Sequence, residues 1–143
     1  EQPPSIKEKR VLIKKVARAA RLLHDNGLNH RDFYLCHFLK PRAATPFQFN
    51  DPLYLIDLHR CQQRAITPWR WRAKDIAGLF YSAFDVPLTQ RDVLCFLREY
   101  KPEWLRGGQA QKRDIAAKAC KLYLKDFKRE PPVAIQQLLA RIS

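Results

Sequence analysis

Two acids, each next to a short apolar run, constrain the fold of this chain more than any other sequence feature. Asp32 ends the letters NHRD and precedes an aromatic and aliphatic run over residues 34–39. Asp57 ends the letters YLID, about 25 residues further along. Runs of this length and composition are typical of short strands, and the helix-like segment before them ends at Gly27. We therefore expect a helix, a polar loop and two strands whose ends present both acids.

The spacing around the first acid is that of a protein-kinase catalytic loop. His30, Arg31 and Asp32 are followed, five positions after the acid, by a further polar residue, His37. In such loops the Asp accepts the proton of the attacking hydroxyl, and the later polar residue holds a metal ion. Asp57 stands where a kinase places the metal-binding Asp of its Asp-Phe-Gly motif.

Two departures from the protein-kinase pattern indicate a more specific family within the kinase-like proteins. The later polar residue is His37 rather than Asn, and Leu58-His59 rather than Phe-Gly follows the second acid. With the letters GLNHRDFYLCHFL, LIDLHR and RWRAKDIAGLFYSAFD, these features resemble the Kdo/WaaP family of lipopolysaccharide core heptose kinases. The similarity runs from about Asp25 to about Tyr100, and more loosely through both ends.

This resemblance implies the fold class and the domain organisation. We expect a mainly α fold with a small hairpin-like strand pair, equivalent to the C-terminal lobe of a protein-kinase-like fold. One domain would cover residues 1–143, with a leading helix over 1–27, the catalytic loop and metal-binding strands over 28–60, and an activation-segment-like loop and helical subdomain over 61–143. The four glycines form no G-x-G-x-x-G loop, and few residues precede the catalytic loop. We therefore expect the N-terminal lobe to be absent from this chain and the segment alone to be inactive.

Local patterns predict the helices. Ser5 and Glu8 form a capping box at the first helix, and Thr89 with Asp92 caps a later one. Gly107-Gly108 separates that helix from a longer basic helix. The apolar positions recur at helical spacing, and they are Ile13, Val16, Ala17, Ala20 and Leu23; Ile76, Leu79, Phe80, Ala83 and Phe84; Val93, Phe96, Leu97 and Tyr100; Ile115, Ala119, Leu122 and Tyr123; and Ile135, Leu138, Leu139 and Ile142.

Composition and charge limit the partners. Apolar residues make up 46% of the 143 residues, which is enough for one folded core. No uncharged apolar run reaches 18 residues and no leader-like start is present, so we expect neither a membrane span nor secretion of this segment. The net charge of +13 fits nucleic acid, an anionic membrane surface or a polyanionic substrate, or simply a basic soluble surface. The four cysteines lack C-x-x-C spacing, which favours reduced thiols in the cytoplasm.

The resemblance implies a role for each acid. Asp32 would be the catalytic base, orienting a sugar hydroxyl and taking its proton; the structural alternative is an Asp that caps a turn. Asp57 would bind Mg²⁺ through its hard carboxylate oxygens, or would be a surface acid at a strand end. His37 is a poorer Mg²⁺ ligand, so it either contacts the metal or hydrogen-bonds Asp32 or a phosphate; a buried structural histidine is the remaining alternative.

Further residues would support the site or bind substrate. His30 would pack, Arg31 would form charge-assisted bonds to the segment after Asp57, and Asp75, at the start of the central helix, would accept hydrogen bonds from the loop backbone or favour the helix N-terminus. A basic cluster would receive an acidic acceptor, with Trp69 and Trp71 offering faces for sugar stacking, or would be a solvated basic segment. Its members are Arg60, Arg64, Arg70, Arg72 and Lys74.

We therefore predict an ATP-dependent phosphotransferase that uses ATP and Mg²⁺ and phosphorylates a heptose of the lipopolysaccharide inner core. Its partners would be that acceptor, its own N-terminal lobe and an anionic inner membrane, at whose cytoplasmic face it would lie peripherally.

The alternative functions are another sugar or protein kinase, or a non-catalytic basic module that binds nucleic acid or anionic lipid. Because the basic residues are spread over every helix, we expect no specific nucleic acid partner. A zinc site of Cys36, His37, His59 and Cys61 is disfavoured, because neighbouring residues of a strand point to opposite faces.

Overall fold

The first helix, α1 (Ile6–Asp25), begins and ends as its sequence predicts. In the computed structural model, Oγ of Ser5 accepts a hydrogen bond from the amide of Glu8 at 3.2 Å. The chain turns at Gly27, whose φ of 80° favours glycine. The second half of the predicted capping box does not form. The carboxylate of Glu8 instead accepts a hydrogen bond from the amide of Phe47 at 2.9 Å, which ties a long loop to the helix.

The described chain, residues 2–142, is mainly helical, as predicted; Glu1 and Ser143, the ends of the predicted domain, lie outside the described residues. Four further helices follow α1, and they are α2 (Trp69–Ser82), α3 (Gln90–Tyr100), α4 (Gln109–Phe127) and α5 (Val133–Ile142). The capping box of Thr89 and Asp92 forms at α3. None of the helices in this part of the chain is long and apolar enough to cross a membrane.

The described residues form two small antiparallel sheets, one of which is the strand pair that the sequence predicts. They are formed by β1 (Leu28–Asn29) with β4 (Gln62–Gln63), and by β2 (Phe38–Leu39) with β3 (Tyr54–Leu55). The predicted strand over 34–39 is wrong in its first half, because Leu35–His37 forms a 3₁₀ turn. Oγ of Ser82 holds that turn by accepting a hydrogen bond from the amide of Leu35 at 2.9 Å.

Helix α2 lies at the centre of the core. It packs on α4, while α1 packs on α3. Ile76 and Leu79 are buried as predicted, and such burial contributes about 1.5–3 kcal/mol for each side chain. Gly78 brings the polar loop close to the helix, because a Cβ there would lie 3.2 Å from the Tyr34 ring and 3.4 Å from the carbonyl oxygen of Phe33. The core of α2 thus supports the segment that carries Asp32.

Candidate active site

Asp75 anchors the loop that carries Asp32. Its side chain is 1% exposed, and its two oxygens accept hydrogen bonds from the amides of His30 at 2.8 Å and Arg31 at 2.9 Å. Asp75 lies in the second turn of α2, not at the start of the helix as the sequence suggested. A helix dipole acts mainly within the first turn. The two loop amides therefore account for the position of this carboxylate.

A buried polar network extends behind Asp75. Nε2 of His24 lies 2.9 Å from the Asp75 carboxylate, and Nδ1 lies 2.7 Å from the hydroxyl of Tyr100. Because a carboxylate only accepts hydrogen bonds, Nε2 carries a proton and Nδ1 accepts from Tyr100 when His24 is neutral. This network could not be predicted from the sequence, because His24 looks like a polar residue at the end of an amphipathic helix. Its members join α1, α2 and α3 behind the loop.

His30 connects the loop to the strand before Asp57. The ring is fully buried, and its Nε2 donates a hydrogen bond to the carbonyl oxygen of Ile56 at 3.0 Å. Its Nδ1 accepts a hydrogen bond from the amide of Asp32 at 3.3 Å. One neutral tautomer satisfies both contacts. The structure thus places His30 as a packed residue that fixes the separation of the two acids.

His37 lies between the two acids. Its Nδ1 donates a hydrogen bond to the main-chain oxygen of Asp32 at 2.7 Å, and its Nε2 lies 3.2 Å from Oδ2 of Asp57. Asp57 adopts a left-handed backbone with a φ of 63°, and its other oxygen contacts the imidazole of His59. His59 did not enter the predicted site except in the disfavoured zinc alternative. Its position two residues after Asp57 was the one feature of the sequence that could have predicted this contact.

Arg60 contacts the proposed base directly. Its Nη1 lies 2.6 Å from Oδ1 of Asp32, and the Asp32 side chain is only 16% exposed. The sequence predicted that Arg60 contacts the acceptor as part of the basic cluster, whereas the structure pairs it with Asp32. Oδ2 of Asp32 forms no hydrogen bond with a side chain of residues 2–142. That oxygen is the one available to accept a proton from a hydroxyl group.

The remaining basic residues separate into two groups. Arg72 is structural, because it donates hydrogen bonds to the carbonyl oxygens of Thr67 and His24 and pairs with Asp25 at 3.2 Å. The others gather around the indole of one tryptophan, Trp71, and they are Arg31, Arg64, Arg70 and Lys74.

Arg31 differs from its prediction. It forms no hydrogen bond to the segment after Asp57 within the described residues, and its guanidinium lies 5.5 Å from the centre of the Trp71 ring. Trp69 is also occupied, because its Nε1 donates a hydrogen bond to Asp114 at 2.9 Å and its ring meets Trp104 edge to face. Arg31 therefore belongs to the basic group, and cations rather than an open face surround Trp71.

Two other ionisable side chains near the loop stay protonated at neutral pH. Burial raises the pKa of the Tyr34 phenol, and the Asp32 carboxylate raises it further. Burial also raises the pKa of the Cys61 thiol, with added effects of Asp75 and Asp32. Neither group competes with the carboxylates as a base. Within residues 2–142, no group of three or more His, Cys, Asp and Glu side chains is arranged to hold a metal ion.

A loop Asp that is followed, after the next two strands, by a second Asp is the arrangement of the catalytic and metal-binding acids in kinase-like domains. This chain belongs to the lipopolysaccharide kinase (Kdo/WaaP) family, whose model matches residues 1–100. The resemblance found in the sequence is therefore confirmed.

Several relatives are similar to most of this chain. It is 47% identical to the lipopolysaccharide core heptose(I) kinase WaaP of Pseudomonas aeruginosa, covering 86% of this chain and 47% of that protein. It is also 47% identical to the enzyme of that name from Escherichia coli K12, covering 68% and 37% of the two chains. A solved structure described as WaaP in complex with acyl carrier protein is similar at 46% identity and a TM-score of 0.72, with 86% of this chain and 53% of that chain covered. The chain thus spans about half the length of the curated relatives it matches.

Proposed function

We propose that this chain carries the catalytic loop of an ATP-dependent phosphotransferase that phosphorylates a heptose of the lipopolysaccharide inner core. The observation that carries the proposal is the contact of His37 with both acids, at 2.7 Å from the Asp32 carbonyl oxygen and 3.2 Å from the Asp57 carboxylate. It supports one site that contains a proton acceptor and a cation ligand. The relatives are named as core heptose kinases, and on that basis we propose a core heptose as the acceptor.

Asp32 is the proposed base. Phosphoryl transfer needs a residue that orients the attacking hydroxyl and accepts its proton, and little other covalent help. The amide of the preceding residue, Arg31, donates a hydrogen bond to the Asp75 carboxylate and so holds the backbone at Asp32. The guanidinium of Arg60 contacts one oxygen of the Asp32 side chain. We propose that Oδ2 receives the proton of the heptose hydroxyl.

Asp57 and His37 are the proposed cation ligands. Their donor atoms lie 3.2 Å apart, and because Nδ1 of His37 is bonded to a carbonyl group, its Nε2 faces the carboxylate. A carboxylate oxygen suits Mg²⁺, and the imidazole is the weaker partner. When bound, Mg²⁺ would stabilise the negative charge of the nucleotide phosphates. The residues present therefore fit the ion that the family implies.

The chain is proposed to be the C-terminal lobe of that enzyme, divided at about residues 27 and 60 into a leading helix, the catalytic segment and a helical subdomain. The relatives that it matches are about twice as long, which is consistent with a separate lobe that covers the nucleotide. We propose that the protein acts at the cytoplasmic face of the inner membrane, where a charge of +13 would favour contact with anionic lipid.

The test is phosphate transfer from ATP to heptose-terminated core lipopolysaccharide by the intact protein. Asp32→Ala and Asp57→Ala should each abolish transfer while circular dichroism and the unfolding transition stay close to those of the parent. Asp85→Ala removes an exposed acid of α2's C-terminal turn region and should leave transfer unchanged. A folded parent that transfers no phosphate to any core acceptor would contradict the heptose assignment.

We also propose an acyl carrier protein as a partner, because a similar structure is a complex with one. A specific feature of this chain favours it: a cavity of about 380 Å³ lies among α1, α2, α3 and α4, and its lining includes Leu12, Ile13, Phe80 and Phe96. Such an apolar cavity fits an acyl chain. Co-purification of the intact protein with acyl carrier protein, with and without a long acyl chain, tests this partner. Equal binding of both forms would contradict a role for the cavity.

A further inference from the structure

Four cationic side chains surround the indole of Trp71. The distances from the ring centre are 4.9 Å to the guanidinium of Arg70, 5.2 Å to Nζ of Lys74, 5.4 Å to Arg64 and 5.5 Å to Arg31. One electron-rich ring attracts each cation weakly when solvent is near. Four cations at this spacing also repel one another. The group, which we call the Trp71 cluster, therefore carries more positive charge than its ring balances.

No carboxylate in residues 2–142 forms an ion pair with the cations of the Trp71 cluster. Arg64 donates its hydrogen bonds to the neutral side chains of Asn29 and Gln62, at 2.7 and 2.8 Å. Nε of Arg31 is buried and has no hydrogen-bond partner. A buried donor without a partner is rare in folded proteins and calls for an explanation. A bound anion would satisfy it.

Two acids of the neighbouring helices, Asp25 and Asp75, are already engaged by other partners. Asp25 pairs with Arg72, which lies outside the Trp71 cluster. Asp75 accepts the amides of His30 and Arg31 and contacts His24. Neither acid therefore pairs with a cation of the Trp71 cluster, and the side chains of Arg70 and Lys74 are exposed to solvent.

The backbone holds Arg31 in an unfavourable conformation. Its φ of 77° lies in the left-handed region, which a non-glycine residue adopts at an energetic cost. Such strain persists where surrounding contacts enforce it, and here the Asp75 carboxylate fixes the amide at 2.9 Å. The same residue precedes Asp32 directly. The fold therefore fixes the backbone of a cationic residue directly before the proposed base.

We infer that the Trp71 cluster binds an anionic group of the acceptor, a carboxylate or phosphate of the lipopolysaccharide core, while a hydroxyl of the same molecule meets Asp32. This inference rests on the proposed function. The planar guanidiniums of Arg31, Arg64 and Arg70 suit the two or three oxygens of such a group. Arg60 and Arg72, which the sequence grouped with them, are excluded by their own ion pairs.

The decisive variant is Arg70→Gln with Lys74→Gln in the intact protein, because both side chains are exposed and their loss should spare the fold. We expect the KM for core lipopolysaccharide to rise roughly 10- to 100-fold, since charge-assisted contacts to the acceptor are lost. The KM for ATP and kcat should change less than about 2-fold. Binding of acceptor should also lose part of its salt dependence.

A matched control removes two other exposed cations, Arg91→Gln with Lys121→Gln, which have the same charge change away from the Trp71 cluster. This control should keep the KM for the acceptor. An equal rise of KM in both double variants would overturn the inference, because net charge alone would then explain it. An unchanged KM in the Arg70 and Lys74 variant would overturn it as well, and would leave the kinase function intact.

A second readout separates this inference from the proposed function. Binding of deacylated core oligosaccharide is measured by calorimetry without ATP, for oligosaccharides with and without their carboxylates and phosphates. Tight binding that needs both the anionic groups and the Trp71 cluster supports the inference even if no phosphate is transferred. If the Arg70→Gln with Lys74→Gln variant lost binding only to phosphatidylglycerol vesicles and bound core oligosaccharide as the parent does, the Trp71 cluster would be assigned to the membrane. That result would overturn the inference.

Discussion

The imidazole of His37 is hydrogen-bonded through Nδ1 to the main-chain oxygen of Asp32, five residues earlier in the chain, at 2.7 Å. This contact orients the ring so that Nε2 faces the Asp57 carboxylate at 3.2 Å. A kinase usually has Asn at this position. The histidine thus takes a structural task, closing the loop, and leaves one nitrogen for the neighbouring acid.

His37→Ala tests that double role. We expect transfer to fall by about 10- to 100-fold, because the variant loses a weak proposed cation ligand that also orients Asp57. His37→Asn should retain more activity than His37→Ala and need less Mg²⁺, since an amide oxygen suits that ion better than an imidazole. Initial rates over a Mg²⁺ series measure both. Full activity of a folded His37→Ala protein at every Mg²⁺ concentration would contradict the role.

Asp75→Asn tests the anchor of the loop. The variant keeps the shape but loses the charge that receives two amides and faces His24, so we expect a loss of about 2–4 kcal/mol in the free energy of unfolding. Urea denaturation measures it. The exposed Asp85→Asn is the matched control and should stay within about 0.5 kcal/mol. A similar small change for Asp75→Asn would show that the anchor contributes little.

The helices were predictable from sequence because their signals are local. Ser5 and Thr89 cap the helices that directly follow them, and the apolar periodicity identifies the buried faces. The β1–β4 sheet was missed because each strand has two residues and depends on a distant bond, from the amide of Arg64 to the carbonyl oxygen of Gly27 at 2.9 Å. Length and composition give no signal for such a pair.

The residues of the candidate site were likewise easier to find than their contacts. The acids Asp32 and Asp57 were identified from spacing and resemblance, and their catalytic roles remain predictions. The Arg60 contact with Asp32 and the Arg31 position beside Trp71 depend on tertiary packing and on one left-handed residue. Positive φ at an arginine has no sequence signature. The sequence therefore indicated a basic cluster but not its tertiary contacts, namely that Arg60 pairs with Asp32 and that Arg31 lies beside Trp71.

The ion pair of Lys9 with Asp92 predicts a pH dependence of stability. Burial alone would raise the pKa of Asp92, but hydrogen bonds from Lys9 and Thr89 outweigh it and lower the pKa. A carboxyl group whose folded pKa is depressed stabilises the fold above its unfolded pKa, about 3.9, and this contribution is lost as the pH falls through the folded pKa.

Lys9→Met should therefore lower the free energy of unfolding by about 1–2 kcal/mol at pH 7, because the Asp92 carboxylate loses a partner at 2.6 Å. The difference from the parent should shrink as the pH falls below about 4, where the carboxyl group becomes protonated. Urea unfolding over a pH series measures this. Lys7→Met, on the exposed face of the same helix, should give a small and pH-independent change. A constant difference for Lys9→Met down to pH 2 would contradict the ion pair.

Tyr100→Phe tests the network behind the loop. Burial raises the pKa of Tyr100 to about 12, so the hydroxyl remains a donor to Nδ1 of His24 throughout the neutral range. Its removal leaves that nitrogen buried without a partner, and we expect a loss of about 1–2 kcal/mol in the free energy of unfolding, while the ring keeps its stacking on Phe96. Tyr54→Phe, at an exposed position, should cost less than about 0.5 kcal/mol. Urea unfolding of both variants measures the difference. Equal free energies of unfolding for the Tyr100→Phe and Tyr54→Phe variants would mean that the hydroxyl of Tyr100 does not support His24. Asp75 alone would then fix the loop.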